Sequence, residues 1–458
     1  MLRIETASIV SDRGVTEEPG VAPAIHYSAV FAASCERDFL EMSTLPQHPR
    51  NYTRYGNPVH ERVKAVMARL EGTQTALVTG SGMGALTTTL LALLGAGDHV
   101  VAQRRHYMST ANLLDGMLKR FGVEVSLVDQ TDTAAFVRAI RKNTKLIVLE
   151  SPANPLLELT DVAGVALVAK SHGILTVADN TFASPLNQQP HALGVDIVVH
   201  SATKYLGGHH DLTGGIICTS EVLVERIWRT HVGVGSVLSP MDAWLLLRGI
   251  RTFPLRMERI NRNALALARC LCEHPGVGEV RYPGLTCHPQ FALARTQMRG
   301  FGGVLTFRVK AGAHAARRLV AGLRIPQIAG SLGGVNSLAI HVATMWGGTR
   351  AQTAGADTIP DDLVRYAVGI EHIDDLRNDL LDALDRSGRS AQSTAQKTPR
   401  YEGFFCLWRP ARHRSACNHR ETSQTRLGPP VRFAALAASS IRPRTRNRSH
   451  RSWLRSGS

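Results

Sequence analysis

The chain has 458 residues, of which 44% are hydrophobic and 20% are charged. This describes a globular protein of about two domains and excludes a disordered or fibrous one. No apolar run has the length of a membrane span and the first residues lack an apolar signal core, so we expect neither membrane insertion nor export. Seven cysteines without metal-ligand spacing favour reduced thiols in a cytoplasm and predict no metal site.

The net charge of +16 is concentrated near the end of the chain. Residues 397–458 contain 14 basic and only two acidic side chains, within a tail, 387–458, that is rich in Arg, Ser and Pro. This composition predicts disorder. A frameshift in a G+C-rich gene would produce such a tail, and so would a basic nucleic-acid arm. We favour the first interpretation and keep nucleic-acid binding only as a remote alternative.

The predicted elements alternate between strand and helix. Residues 1–60 contain several prolines and predict an irregular arm. The next part has strand patterns at 76–78, 99–102, 123–128, 146–149, 177–180, 196–200 and 214–218, with helical patterns at 63–70, 83–94, 132–142 and 161–171. Such alternation predicts a mostly parallel sheet covered on both faces. A long helical region at 241–272 leads into strands at 279–282, 303–307 and 363–368 and helices at 312–322 and 373–385. We therefore predict an arm (1–60), a large domain (61–250), a small α+β domain (251–386) and the tail (387–458).

Lys204 is the most informative single residue. It lies in Ser201-Ala202-Thr203-Lys204-Tyr205, directly after an apolar strand pattern. Burying a lysine charge is costly, so a lysine here is expected to have a lowered pKa. An amine of that kind can attack a carbonyl carbon and form a Schiff base.

Other polar residues also follow strand patterns. A glycine-rich turn at Gly80–Gly84 leads from a strand into a helix, and Asn154 and Asp179 each come at the end of a strand. Taken singly, the turn could serve packing, Asn154 a turn and Asp179 a helix cap. Ligands of open α/β sheets bind at the carboxyl ends of strands, where all of these residues lie with Lys204. Pyridoxal phosphate (PLP) requires an amine, an acid for its ring nitrogen and a phosphate site, and the set supplies all three.

Several longer motifs carry a family resemblance. They are Tyr52–Pro58, Glu150–Pro155, Asp179–Phe182, Ser201–Asp211, Ser239–Gly249 and Ser331–Gly334. With these motifs the chain, over residues 6–386, resembles the Cys/Met metabolism PLP-dependent enzymes. The resemblance implies the PLP-dependent transferase fold type I, with a mostly parallel seven-stranded sheet in the large domain.

The resemblance also implies cofactor-binding roles. Lys204 would hold the cofactor covalently, Asp179 would pair with the ring nitrogen and Asn154 would contact the ring hydroxyl. The phosphate would be held by Gly82, Met83, Ser201 and Thr203. Tyr52 and Arg54 would reach the phosphate from a neighbouring subunit, so the resemblance implies a dimer or tetramer.

Substrate binding and catalysis follow from the same resemblance. Tyr107 would stack on the ring and act as acid or base with Lys204, while Arg365 would bind the substrate α-carboxylate beside Asn154 and Ser331. The implied activity is most like that of a cystathionine γ-lyase, which releases 2-oxobutyrate, ammonia and cysteine. Cystathionine γ-synthase or O-acylhomoserine sulfhydrylase activity is the alternative. The sequence leaves the physiological substrate, elimination versus replacement, and dimer versus tetramer open.

The chain departs from the family pattern around the distal part of the substrate. Gly330 stands where many cystathionine-specific members have Glu before Ser-Leu-Gly-Gly, and Asn336 replaces another Glu. Losing a carboxylate removes a partner for a distal ammonium group. Trp346 is predicted to narrow the pocket toward smaller or more apolar thioethers.

Overall fold

The computed structural model of the chain describes residues 2–16, 19–346 and 359–388. The chain divides into two units, Met1–Ser393 and Thr394–Ser458, and everything below concerns the first. The second unit and nearly all of the predicted basic tail lie outside the described residues. None of the described helices is both long and apolar enough to cross a membrane.

A seven-stranded sheet is formed by strands from the first half of the chain. Its strands are β1 (Thr75–Thr79), β2 (His99–Gln103), β3 (Glu124–Val128), β4 (Thr144–Glu150), β5 (Leu175–Asp179), β6 (Ile197–Ser201) and β7 (Gly215–Thr219). They lie in the order β1-β7-β6-β5-β4-β2-β3. All neighbours from β6 to β3 are parallel, and only the two pairs made by β7 are antiparallel. The predicted mostly parallel sheet is thus confirmed.

A second, five-stranded sheet follows. Its strands are β8 (Val277–Arg281), β9 (Val304–Val309), β10 (Gln327–Ile328), β11 (Leu338–His341) and β12 (Leu363–Ala367). They lie in the order β10-β11-β12-β9-β8, and only the β10–β11 pair is parallel. Strand β12 is central, which gives its side chains a buried position at the middle of the sheet.

The described helices connect and cover the strands. They are α1 (Ile4–Val10), α2 (Glu36–Thr44), α3 (Pro58–Glu71), α4 (Gly82–Leu93), α5 (Met108–Asn112), α6 (Thr133–Ala139), α7 (Val162–Ser171), α8 (Ser184–Asn187), α9 (Glu221–Val234), α10 (Pro240–Arg251), α11 (Phe253–Glu273), α12 (Phe291–Gln297), α13 (Gly312–Gly322), α14 (Val342–Trp346) and α15 (Ile373–Gly388). A π-helical turn, Leu113–Leu118, extends α5.

Local sequence signals account for the ends of α3. The Asn57 side chain accepts a hydrogen bond from Val59 N, and Pro58 occupies the first helical position, where its missing N–H costs nothing. Gly72 ends the helix with φ at 74°, a left-handed conformation that favours glycine. The helix therefore begins and ends where its own sequence directs.

The alternation of side chains along the parallel strands divides the large core into two layers. Val198 of β6 packs with Val66 and Met67 of α3 on one face of the sheet. Its neighbour Val199 packs with Leu86 of α4 on the other face. A third cluster joins the second sheet to α11, α13 and α15. Because these strands are buried on both faces, their sequences are continuous apolar runs and do not alternate between apolar and polar residues.

Several elements differ from those expected from the pattern. The arm 1–60 contains α1 and α2 and is not wholly irregular. The helical region 241–272 is two helices that meet at Thr252, because Pro254 lacks the N–H that would continue a helix. Helix α9 and strands β10 and β11 had no predicted counterpart.

Glu71, at the last position of α3, forms hydrogen bonds with residues at the carboxyl ends of β5 and β6. Its fully buried carboxylate Oε1 accepts hydrogen bonds from His200 Nε2 at 2.6 Å and Asn180 Nδ2 at 2.9 Å. We predict that Glu71→Ala lowers the free energy of unfolding by about 3–5 kcal/mol, because both donors lose a buried charged partner. Urea denaturation measures this change. The control Glu258→Ala, which breaks an exposed pair with Arg262, should cost less than about 1 kcal/mol; equal losses would contradict the prediction.

Candidate active site

One cavity lies at the carboxyl ends of the parallel strands and is closed on one side by the second sheet. It brings together nine of the predicted site residues, which come from six separate parts of the chain. They are Gly82, Met83, Tyr107, Asn154, Asp179, Ser201, Thr203, Lys204 and Arg365. Ser331 joins them through a hydrogen bond to Lys204. This is where open α/β sheets bind ligands.

Lys204 lies in the turn that follows β6, and its side chain enters the cavity. The Nζ atom donates a hydrogen bond to Ser331 Oγ at 2.9 Å. Burial, and to a smaller degree the positive charge of Arg365, lowers the pKa of Lys204 to about 8. A substantial fraction of the amine is therefore unprotonated in mildly alkaline solution, as a nucleophile toward carbonyl groups requires.

Asp179 and Glu150 form a pair of neighbouring carboxylates. They end strands β5 and β4 and lie opposite each other in the parallel register. Burial, followed by repulsion from Glu150, raises the pKa of Asp179 to about 6, although hydrogen bonds from Thr181 oppose the shift. A cation placed beside Asp179 would offset this repulsion, and a protonated pyridine nitrogen is such a cation.

The glycine turn forms a close approach at the N-terminus of α4. A Cβ atom on Gly82 would lie 2.6 Å from Ser201 Cβ, so only glycine allows this helix to begin against the Ser201 strand end. Ser81 caps the helix by accepting from Gly84 N at 2.9 Å. The first amides of α4 and the hydroxyls of Ser201 and Thr203 thus border the same end of the cavity. Helix N-termini of this kind favour anions such as phosphate.

Arg365 is a buried cation on the central strand β12. It donates from Nη1 to Asn154 Oδ1 at 3.2 Å and from Nη2 to the Ser331 carbonyl at 2.6 Å. Its Nε has no hydrogen-bond partner among the described residues, and burial lowers its pKa to about 10. A guanidinium held by neutral groups in a cavity is suited to a ligand carboxylate, which it can bind with two parallel hydrogen bonds.

Tyr107 lies at the mouth of the cavity, where its side chain is 43% exposed. Its backbone N donates to Glu150 Oε2 at 2.6 Å, which fixes the start of α5 against the end of β4. The phenol can therefore contact a molecule that enters the cavity, while the hydrogen bond to Glu150 fixes the position of the Tyr107 backbone.

Tyr52 and Arg54 are not in this cavity. They line a separate surface cleft with Tyr27 and Val237. Arg54 lies over the Tyr52 ring at 5.3 Å and donates from Nη1 to the Val232 carbonyl. Within one chain these two side chains do not meet Lys204, and their predicted contact with the phosphate of a neighbouring subunit stays a prediction.

The structure corrects the expectation for Trp346 and adds residues that the sequence analysis gave no role. Trp346 is buried in a separate cluster with Leu156 and Leu363, because the one-residue step along α14 turns it away. Its neighbour Met345 lines the cavity and lies over Gly330, where a Cβ would be 2.9 Å from Met345 Cε. Glu150 was part of a quoted motif, and its place at a strand end was the available signal. No sequence signal distinguished Met345.

These groups fit PLP in kind and arrangement. The cavity combines a lysine of lowered pKa, a carboxylate beside a second carboxylate, an amide-lined helix N-terminus with two hydroxyls, and a buried guanidinium. The paired carboxylates and the uncompensated guanidinium are each costly in the protein alone, and each suits one part of the cofactor or of an amino-acid substrate.

Comparisons with known proteins agree with this site. Residues 5–385 match the model of the family described as "Cys/Met metabolism PLP-dependent enzyme". The chain is 44% identical to the cystathionine gamma-synthase of Mycobacterium tuberculosis, over 73% of this chain and 86% of that protein. It is also 44% identical to the L-methionine gamma-lyase of Pseudomonas putida, over 73% of this chain and 85% of that protein.

Solved structures extend the agreement to the fold. The chain resembles the crystal structure of metB from Corynebacterium glutamicum with a TM-score of 0.79 and 36% identity, over 84% of this chain and 98% of that one. The TM-score, the identity and the share of this chain covered are the same for the crystal structure of cystathionine gamma synthase from Xanthomonas oryzae pv. oryzae in complex with aminoacrylate and cysteine. In that comparison 99% of the other chain is covered. The predicted resemblance, fold class, enzyme class and cofactor are confirmed: the chain belongs to the Cys/Met metabolism PLP-dependent enzyme family.

Proposed function

We propose that this enzyme removes the substituent on Cγ of a sulfur amino acid, with carbon–sulfur elimination as its leading activity. The net reaction adds water to a γ-thioether amino acid and releases a thiol, 2-oxobutyrate and ammonia. The observation that carries the proposal is the convergence of the Lys204 amine, the Asp179 carboxylate and the Arg365 guanidinium on one cavity. An amino acid bound by its carboxylate at Arg365 would bring its Cα into the space next to Lys204.

Binding of the cofactor would use the groups already near each other. The amides of Gly82 and Met83 and the hydroxyls of Ser201 and Thr203 would hold the phosphate. Asp179 would hold the ring nitrogen in its protonated form. The bound cofactor supplies an electron-withdrawing ring that makes the Cα proton of the substrate acidic.

The catalytic steps of the chain's own residues are proton transfers. Arg365 would orient the substrate carboxylate while Asn154 accepts from its Nη1. The Lys204 amine would take the Cα proton and then move a second proton from Cβ. Tyr107, exposed at the mouth, would donate a proton to the departing sulfur.

The distal wall of the cavity favours an uncharged substituent. Leu332 and Met345 line it, and Gly330 offers no carboxylate there. A distal ammonium group, as in cystathionine, would therefore lose its hydration without gaining a charged partner from these residues. A small thioether such as methionine suits this wall better, and the similarity to an L-methionine gamma-lyase supports that preference.

The second candidate is γ-replacement, in which a thiol adds where the leaving group departs. Similarity to cystathionine gamma-synthases favours it. A substrate panel separates the two: PLP-supplemented protein is incubated with methionine, cystathionine, or O-acetyl- and O-succinylhomoserine, each with and without added cysteine. 2-Oxobutyrate from methionine or cystathionine without added thiol supports elimination. Cystathionine formed from an acylhomoserine and cysteine, without that release, supports replacement.

Met345 offers a direct test of the distal wall. We predict that Met345→Ala raises the ratio of kcat/KM for cystathionine to that for methionine by about tenfold. Removing the side chain opens space for the larger substrate, and contacts of this size are worth about 1–3 kcal/mol. The control is Met117→Ala, which truncates an exposed methionine outside the cavity and should leave the ratio unchanged. Equal ratios in all three proteins would contradict the assignment of Met345 to the substrate wall.

Self-association and a cytoplasmic location are part of the proposal. Apolar side chains of the arm are exposed in the single chain, including Tyr27, Val30, Phe39 and Leu40. Apolar surface of this kind is typical of a subunit interface, and Tyr52 and Arg54 lie in the same part of the chain. Sedimentation at several protein concentrations would report a dimer or tetramer; a monomer at all of them would overturn this part.

A further inference from the structure

Two cysteines, Cys272 and Cys287, lie side by side outside the cavity. Cys272 is the second-last residue of α11, and Cys287 lies in the turn between β8 and α12. Both residues are exposed, and their thiol groups are close enough for a side-chain hydrogen bond between them. Two neighbouring thiols at the surface can be joined by a disulfide bond, and reagents in solution can reach them.

The hydrophobic core holds the two segments together. Leu271, next to Cys272, and Leu285, two residues before Cys287, belong to the same buried cluster. A hydrogen bond from His288 N to the Leu285 carbonyl at 3.0 Å further fixes the turn. The folded backbone therefore keeps the thiols near each other, and a bond between the two sulfur atoms does not require the core to be rearranged.

Cys270 does not share this arrangement. It lies two residues before Cys272 on α11, so its side chain is turned by about 200° around the helix axis. The charges that act on its thiol are those of Arg377, on α15, and of Glu273. Cys270 therefore provides a matched control on the same helix.

We propose that Cys272 and Cys287 form a reversible disulfide bond when the enzyme meets a peroxide, an oxidant that reacts directly with thiolates. The bond would tie the turn between β8 and α12 to the end of α11. The inference does not depend on the proposed function, because neither cysteine lines the cavity.

The reaction is balanced in two steps. First, the Cys287 sulfur attacks one oxygen of hydrogen peroxide; the O–O bond breaks, an S–O bond forms, the sulfur is oxidised to a sulfenic acid and the other oxygen leaves as water. Next, the Cys272 sulfur attacks the Cys287 sulfur; the S–S bond forms, the S–O bond breaks, and the departing hydroxide takes the Cys272 proton to give water. Two thiols and one peroxide thus give one disulfide and two waters, and a dithiol reductant reverses the change.

The surroundings of Cys272 indicate the order of these steps. Burial, followed by the charge of Cys287 and the hydrogen bond with it, raises the pKa of Cys272 to about 11. Cys272 therefore keeps its proton while Cys287 reacts with the oxidant. Oxidation of Cys287 to the neutral sulfenic acid removes the negative charge beside Cys272, which makes its proton easier to lose when its sulfur attacks.

The test locates the bond by mass spectrometry of the full-length protein. The wild type is reduced, freed of reductant, treated with hydrogen peroxide, blocked with an alkylating agent and digested with trypsin. Cleavage after Arg269, Arg281 and Arg295 places the two cysteines on neighbouring peptides, 270–281 and 282–295. We expect these peptides to be joined, two hydrogen atoms lighter than their sum, and to separate when dithiothreitol is added.

Serine variants identify the two partners. The joined peptides should be lost in Cys272→Ser and in Cys287→Ser. They should persist in the control Cys270→Ser, whose altered residue lies on the same tryptic peptide as Cys272. None of the three positions lines the cavity, so the absorbance of bound PLP in each variant should match that of the wild type.

Three outcomes would overturn the inference. The first is that both thiols of the wild type remain open to alkylation after peroxide treatment. The second is conversion of Cys287 to a sulfinic acid without any joined peptides. The third is a bond that persists in Cys272→Ser, or that occurs only in covalently linked pairs of chains on a non-reducing gel, since Cys270 or a second chain would then supply the partner.

Discussion

The Lys204→Ala variant should lose turnover by roughly 10³-fold or more, and it should no longer bind PLP covalently. The expected loss is large because one amine both holds the cofactor and carries two protons, and a positioned general base alone contributes about 10²–10⁴-fold. Hydrogen bonding to Ser331 and burial in the cavity hold this amine in place. Alanine removes the reactive amine with its hydrogen bond to Ser331 and alters no other residue that lines the cavity.

Two measurements separate the covalent and the proton-transfer roles. Borohydride reduction followed by mass spectrometry should add one pyridoxyl group to the wild type and none to Lys204→Ala. In the wild type, the rate of covalent attachment should rise with pH and level off above about pH 8, since the pKa of Lys204 is lowered to about 8 and only the free amine attacks an aldehyde. A small external amine should restore part of the turnover of the variant by replacing the missing base.

The matched control is Lys119→Ala, which removes a lysine paired with Asp115 on the surface and should behave as the wild type. Covalent labelling that persists in Lys204→Ala would show that another amine holds the cofactor. That result would remove the central residue of the proposed site.

The strand-end residues were predictable because parallel sheets impose a simple rule. Asn154, Asp179 and Lys204 each follow an apolar run, and the carboxyl ends of parallel strands share one edge of the sheet. No distance information is needed to expect them together. The same rule could have given Glu150 a role, since it ends β4 in register with Asp179.

Arg365 and Ser331 could not be assigned by that rule. Arg365 lies on β12 and Ser331 lies between β10 and β11, both more than 120 residues beyond Lys204. Pattern alone predicts that Arg365 is an ordinary surface residue of a strand. Only the family resemblance indicated its role. The packing of the central strand β12 against the cavity is a tertiary contact, and strand propensity carries no information about it.

The sequence pattern could not show that Met345, and not the adjacent Trp346, lines the cavity. Successive residues of a helix differ by about 100° around its axis, so the start of a short helix such as α14 decides which of two neighbours meets the cavity. A five-residue helix offers too few turns for periodicity to define its buried face. Helix α9 is a different case, because Ser220 as N-cap and Gly235 at its end were readable signals.

The Asp179→Asn substitution should stabilise the cofactor-free protein and lower the turnover of the enzyme. In the cofactor-free wild type, the pKa of Asp179 is raised to about 6, first by burial and then by Glu150. The folded protein therefore holds a proton more tightly than the unfolded chain, and its stability falls as pH rises from about 4 to about 6. Asparagine removes this charge, so the variant should be more stable at pH 7 by about 2–3 kcal/mol and little different near pH 4.

The same substitution should damage the cofactor-bound enzyme. Asparagine cannot balance a protonated ring nitrogen, so we expect weaker PLP binding and a loss of turnover of roughly 10²–10³-fold, as for removal of one charge-stabilising group. Denaturation of cofactor-free protein at pH 4 and pH 7, together with PLP titration, measures both effects.

The control Asp196→Asn alters a carboxylate that accepts from Thr176 N and Oγ1 at the other end of the sheet, and it should destabilise the protein while leaving PLP affinity unchanged. Equal stabilisation of Asp179→Asn at both pH values would mean that repulsion from Glu150 and burial do not act on this carboxylate. Unchanged PLP affinity would mean that Asp179 does not hold the ring nitrogen, because asparagine lacks the charge that pairs with that nitrogen in its protonated form.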